Sequence, residues 1–314
     1  MNIPVVDLQT FKTGDEEPKQ AFVNQLGAAF EAVGFVAVKN HGISSELVTD
    51  LYRHLQEFFA LPLDVKLKYE IKELAGQRGY TSFGKEHAKG FDQPDLKEFF
   101  QYGQTVEDGD PVQTEYPDNV LVDEIPEFTP TLFKVYRQFE ETGKLLLNAI
   151  ASYLGLDDDY FDIHVKNGNS ILRAIHYPPI ITAPSSAIRA EQHEDINLIT
   201  LLVGASADGL QILSKEGKWI SLTSQPEQIV VNVGDMLQRL TNNRLRSTTH
   251  RVVNPPRELW GTSRYSIPFF LHPKSNMSLS CLDGCMDHLH PKQYSDITAG
   301  DYLQERLKEI GLKK

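Results

Sequence analysis

The chain has 314 residues, 40% of them hydrophobic, which is enough to bury one large core with an added helical region. Its net charge of −12, with no Lys/Arg cluster, argues against a nucleic-acid surface, and no apolar run reaches the length of a membrane span. The only cysteines, Cys281 and Cys285, make neither a disulfide framework nor, without a second pair, a zinc site; with a start that lacks basic and apolar runs, the expectation is a cytoplasmic protein.

In chain order, residues 18 to 33 predict a helix, with Phe22, Leu26, Phe30 and Val33 at helical spacing and Gly34 placed to end it. Residues 35 to 38 then read as a strand and His41 as a structural turn residue. A second helix, capped by Ser44 or Ser45, carries Leu47, Leu51, Leu55 and Phe58 and stops at Pro62. Residues 104 to 127 mix acids with Pro111, Pro117 and Pro126, which suits an exposed connection or lid. From 131 to 153 a long helix shows one apolar stripe (Leu132, Val135, Phe139, Leu146, Ile150, Tyr153) and is expected to pack along the outside of a sheet. Between about 170 and 275 the pattern changes to short apolar runs broken by turns, starting at Ile171, Ile196, Leu210, Trp219, Ile229, Ser247 and Arg264. Repeated strands at this spacing indicate a sandwich or barrel. A last helix is expected from residues 301 to 307.

Within that strand-rich stretch stands His193-Glu194-Asp195, with His250 fifty-five residues beyond the aspartate. On extended backbone, residues two apart share a face, so His193 and Asp195 project together and Glu194 points away. The β-branched run around His250 predicts a second strand lying opposite the first. Two imidazoles and a carboxylate on one side of a metal leave three positions open, the arrangement used by non-haem iron(II) oxygenases. Neither His-x-Asp nor a lone His is specific. Weight comes from Arg264-Tyr265-Ser266, fourteen residues after His250, because a guanidinium beside a hydroxyl on one strand face suits a buried carboxylate.

Together with Ile3-Pro4-Val5-Val6-Asp7, Gly34-Phe35-Val36, Asn40-His41-Gly42-Ile43, Asp95-Leu96-Lys97-Glu98-Phe99, Tyr177-Pro178-Pro179 and Asn232-Val233-Gly234-Asp235, these motifs make the chain resemble the isopenicillin N synthase-like group of iron(II)/2-oxoglutarate dioxygenases, in its microbial form. The resemblance implies a double-stranded β-helix (jelly-roll, cupin-like) core in a mixed α and β protein. It divides the chain into an N-terminal mixed α/β region (1–110), a connection and supporting helix (111–165), a jelly-roll domain (166–285) and a helical tail (286–314). It further implies that His193, Asp195 and His250 bind iron(II), and that Arg264 and Ser266, with Tyr177, hold the distal carboxylate of 2-oxoglutarate. Dioxygen is then the oxidant, ascorbate an optional reductant, and activity should fall in mild acid as the ligands protonate. The product is a hydroxylated, desaturated or cyclised small molecule, with no nucleic-acid or membrane partner.

Where many plant members carry Asn two positions before the tyrosine, this chain carries Ile175. The Arg-x-Ser pair also occurs in the synthase itself, so an oxidase of the synthase or aminocyclopropane-carboxylate type, independent of 2-oxoglutarate, stays open beside the dioxygenase reading. A jelly-roll binding protein without catalysis is the third reading. For the primary substrate, Arg78, Tyr80, Phe83 and Lys85 lie where the N-terminal region of this family often closes over the pocket, and His176 and Phe269 are candidates from the sheet. Arg173 reads as a solvated strand residue rather than an anion binder.

Overall fold

The computed structural model describes residues 3–74, 76–86, 93–184, 186–204, 208–223, 225 and 227–309. Residues 310–314 of the expected helical tail lie outside them. The chain opens with strand β1 (Val5–Asp7), helix α1 (Leu8–Thr13) and helix α2 (Glu16–Ala32). Gly34, at φ +75°, turns the chain out of α2 into β2 (Phe35–Lys39), a conformation that favours glycine. Ser44 caps α3 (Ser45–Ala60) by accepting from the Leu47 amide at 3.2 Å. Pro62 then precedes α4 (Leu63–Lys66), and β3 (Gly79–Thr81) and β4 (Glu98–Gly103) follow.

The long helix α5 (Phe128–Leu154) ends on left-handed Gly155, and α6 (Asp162–Val165) leads into the strand-rich half. Its strands are β5 (Ile171–Tyr177), β6 (Ala190–His193), β7 (Ile199–Val203), β8 (Leu210–Leu213), β9 (Trp219–Ser221) and β10 (Gln228–Val233). After α7 (Asp235–Leu240) come β11 (His250–Val252), β12 (Arg264–Leu271) and the final helix α8 (Ala299–Glu309).

Two sheets form a jelly-roll core. The larger runs β1-β2-β10-β7-β12-β5-β4-β3 and the smaller β6-β11-β8-β9. Strands β1 to β4, from the first 103 residues, thus complete the larger sheet at both edges, with β1 and β2 parallel and the other pairs antiparallel. Alternation along β12 and β5 decides what faces where. Phe269 and Leu271 point to the outer layer, where Phe269 stacks on Phe139 of α5 at 5.3 Å and meets Tyr136 edge-on at 5.0 Å. Their neighbours Arg264, Ser266, Pro268 and Phe270, with Arg173, Ile175 and Tyr177 of β5, face the inside of the roll. The 104–127 segment is a largely exposed connection anchored by buried Tyr116, Val122 and Ile125, and none of it lines the interior cavity. No helix among the described residues is long and apolar enough to cross a membrane.

Candidate active site

The sheet register builds the metal centre. β11 pairs with β6 so that His250 lies opposite His193, with ring centroids 4.4 Å apart, and Asp195 follows two residues on. One ligand atom from each of the three lies within 4.8 Å of the others. Asp195 Oδ1 stands 4.0 Å from His193 Nε2 and 3.7 Å from His250 Nε2.

Each imidazole is oriented from behind by main chain. His193 Nδ1 contacts the Glu191 carbonyl at 2.6 Å and His250 Nδ1 the Thr248 carbonyl at 3.1 Å. A carbonyl only accepts, so Nδ1 carries the proton and Nε2 presents its lone pair. The carboxylate is clamped by side chains: Asp195 Oδ2 accepts from Thr200 Oγ1 at 2.6 Å and Asn232 Nδ2 at 2.8 Å, which leaves Oδ1 toward the imidazoles.

Electrostatics agree with this division. Burial pushes the Asp195 carboxyl up, but His250, His193 and the two hydrogen bonds outweigh it and hold the group below its ordinary value. Desolvation, then His250, pulls His193 below the ordinary imidazole value, so its lone pair stays available further into acid than that of a free imidazole. Two imidazoles, each presenting Nε2, and one carboxylate on one side fit iron(II).

These residues open into a cavity of about 640 Å³ that also reaches Tyr177, Arg264 and Ser266. Arg264 pairs with Tyr177 in register and Ser266 with Ile175, and the Arg264 guanidinium lies 4.9 Å over the Tyr177 ring, 1% exposed. A buried cation flanked by a hydroxyl, in the same cavity as the metal ligands, fits the far carboxylate of 2-oxoglutarate.

The substrate candidates fare differently. Arg78 is buried against Gly103 with its Nη1 donating to the Gln77 carbonyl at 2.7 Å, and Tyr80 packs on Phe58 with its hydroxyl on Glu98. Phe83 is 49% exposed, and Lys85 makes an outer ion pair with Glu70 at 2.8 Å. His176 faces away from the roll, bonded to Glu98 at 2.8 Å and stacked on Tyr265 at 4.7 Å; Phe269 is in the outer core. None of these six lines the cavity. For His176 and Phe269 the reason is strand parity: the inward residues are their neighbours Ile175, Tyr177 and Phe270.

Arg173, expected in solvent, lines the cavity, its guanidinium 4.3 Å over Phe99 and bonded to Gln101 at 2.9 Å and Glu86 at 3.1 Å. Sequence reasoning also missed Glu86 and Gln101, which meet Arg173 there, Lys97, which pairs with Glu86, and Leu303, Arg306 and Leu307 of α8. The helical spacing of those last three was their one visible signal. Glu194, expected to point away, is exposed at the cavity and accepts from Thr249 Oγ1 at 2.8 Å.

Comparison with known proteins completes the picture. Residues 3–124 match the family described as non-haem dioxygenase in morphine synthesis N-terminal, and residues 168–273 match the 2OG-Fe(II) oxygenase superfamily. A 2-oxoglutarate-dependent dioxygenase of Aspergillus rugulosus is 30% identical, with 98% of each chain covered, and a proline hydroxylase of Petromyces alliaceus is 32% identical, covering 98% of this chain and 99% of the relative. Among solved structures, a Caulobacter crescentus protein assigned to the 2OG-Fe(II) oxygenase family superposes with a TM-score of 0.89 at 40% identity (98% and 99% covered). A full-length Neurospora crassa protein in complex with alpha-KG and thymine gives 0.86 at 31% (98% and 96% covered). The chain therefore belongs to the iron(II)/2-oxoglutarate-dependent oxygenase family, as an enzyme that couples oxidative decarboxylation of 2-oxoglutarate to oxidation of a second, small molecule.

Proposed function

We propose that His193, Asp195 and His250 hold the iron, that Arg264, Ser266 and Tyr177 hold the distal carboxylate of 2-oxoglutarate, and that the second molecule is small, polar and without net charge. The observation that carries the first two assignments is that one cavity joins the triad to a fully buried Arg264. The guanidinium fork pairs two carboxylate oxygens, and the Ser266 hydroxyl adds a donor on the same strand face. Ile175 beside Ser266 supplies an apolar wall, so position 175 offers the inner end of the co-substrate no side-chain amide.

When bound, iron and 2-oxoglutarate supply dioxygen activation and the oxidising power. The protein's residues do the rest. Asp195 stays ionised, the two imidazoles stay oriented, and the apolar walls from Ile175, Leu202 and Phe270 keep water from the reacting centre.

The substrate class is read from the charge balance around Arg173, which lines the cavity. Lys97 pairs with Glu86 and Asp95, each at 2.7 Å, and Arg173 pairs with Glu86, so in this cluster two cations meet two carboxylates and the cluster itself carries no net charge to attract an ion. Thymine, bound by the Neurospora protein, is a molecule of this class.

Two measurements test the proposal. With manganese standing in for iron, 2-oxoglutarate raises the melting temperature, by the equivalent of about 2.7 kcal/mol at a hundredfold excess over Kd. Asp195→Ala and Arg264→Met abolish the shift, and an equal shift in either overturns the residue assignment. For the substrate, succinate release is stimulated by neutral molecules such as thymine or L-proline and not by dicarboxylates or polyamines. The reverse pattern overturns the neutral class.

A further inference from the structure

Arg189 stands immediately before β6 and is 1% exposed. Its guanidinium carbon lies 5.9 Å from the centre of the Tyr177 ring, the same ring over which Arg264 sits at 4.9 Å. Its Nη2 donates to the Thr262 carbonyl at 3.0 Å, two residues before Arg264, and its Nε is buried without a hydrogen-bond partner. Among the described residues no carboxylate pairs with it. Burial and the nearby Arg264 charge both draw its guanidinium below the ordinary value.

Two buried cations around one tyrosine repel each other and have each lost water. Such an arrangement gains most from an anion placed between the sheets at that point. Arg189 does not itself line the cavity, whereas Tyr177, Ala190 and Arg264 around it do. Its charge therefore reaches a ligand through a dry protein layer, where screening by salt is weak.

We propose that Arg189 is a second cationic group of the co-substrate site, acting through the field behind Tyr177 to favour a ligand with a distal carboxylate. This rests on the reading that 2-oxoglutarate docks on Arg264. The role is electrostatic, so charge at position 189 matters more than the shape of the side chain. It also predicts discrimination: a chelator that binds the metal but has no distal carboxylate is indifferent to Arg189.

The test is calorimetric binding to the full-length manganese-loaded protein, with 2-oxoglutarate, its unreactive mimic N-oxalylglycine, and oxalate. Arg189→Met is expected to weaken 2-oxoglutarate and N-oxalylglycine by at least about tenfold while oxalate binds as to wild type, and Arg189→Lys to restore most of the loss. Equal weakening of all three ligands means a structural role and overturns the proposal, as does unchanged 2-oxoglutarate affinity in Arg189→Met. If Arg264→Met also leaves 2-oxoglutarate affinity unchanged, the docking reading itself fails. Loss in Arg264→Met alone removes only the role of Arg189. Should Arg189→Met not fold, Arg189→Lys and Arg189→Gln compared on the same ligand pair decide the matter.

Discussion

Thr200 and Asn232 determine which oxygen of Asp195 faces the imidazoles, and they do so with two short hydrogen bonds to Oδ2. Removing either donor frees the carboxylate to rotate in a buried site. Thr200→Val and Asn232→Ala are each expected to weaken manganese(II) binding by about 10–100-fold while the far-ultraviolet dichroism is retained. Unchanged metal affinity would show that the carboxylate needs no such clamp. At this scale the sequence was legible where chemistry is local: His193 and Asp195 lie two apart, and Arg264 and Ser266 do too. It was illegible where partners are distant, since Arg173 finds Glu86 across 87 residues. Phe269 and Phe270 were a choice between two faces of one strand, and a run of apolar residues carries no parity signal to settle it.

Helix α5 and strand β12 meet through Phe269, which is fully buried between Tyr136 and Phe139. Phe269→Ala leaves a cavity in the outer layer and is expected to cost about 3–5 kcal/mol in urea unfolding. A loss below about 1 kcal/mol would mean that the layer collapses around the gap. The long helix could be read in advance because its stripe repeats over many turns, whereas β3 and β4 could not. Lys97, Glu98 and Gln101 look like surface residues in sequence, yet all three are buried, Lys97 by Glu86 and Asp95, Glu98 by Lys66 and His176. Polar pairs satisfied from remote elements defeat hydrophobic periodicity as a guide.

Across the whole molecule the N-terminal region is joined to the strand-rich half by one continuous sheet, because β1 to β4 extend the sheet that carries β5, β7, β10 and β12. One consequence is that the buried ion cluster tying the two halves together contributes to acid stability. Burial raises the Glu86 carboxyl, but Arg173 and Lys97 outweigh that and hold it at about 2. Its stabilisation is therefore complete above the unfolded carboxylate's pKa of about 4.3 and is lost as pH falls toward 2, on the order of 3 kcal/mol. Chemical denaturation at stepped pH checks this: between pH 4.5 and 2 the wild type is expected to lose more stability than Glu86→Gln. Parallel pH profiles for the two proteins would assign the acid sensitivity elsewhere.

The histidines and the aspartate of the metal centre are held by different kinds of group, and that difference bears on inheritance. A carbonyl oxygen belongs to every amino acid, so the braces behind His193 and His250 survive replacement of Glu191 or Thr248 as long as the strand keeps its path. The braces behind Asp195 are a hydroxyl and an amide, each erased by one substitution. Under drift, then, the two imidazoles are buffered and the carboxylate is not. A lineage released from selection for iron is expected to decay first at positions 200 and 232, while its histidines still look intact.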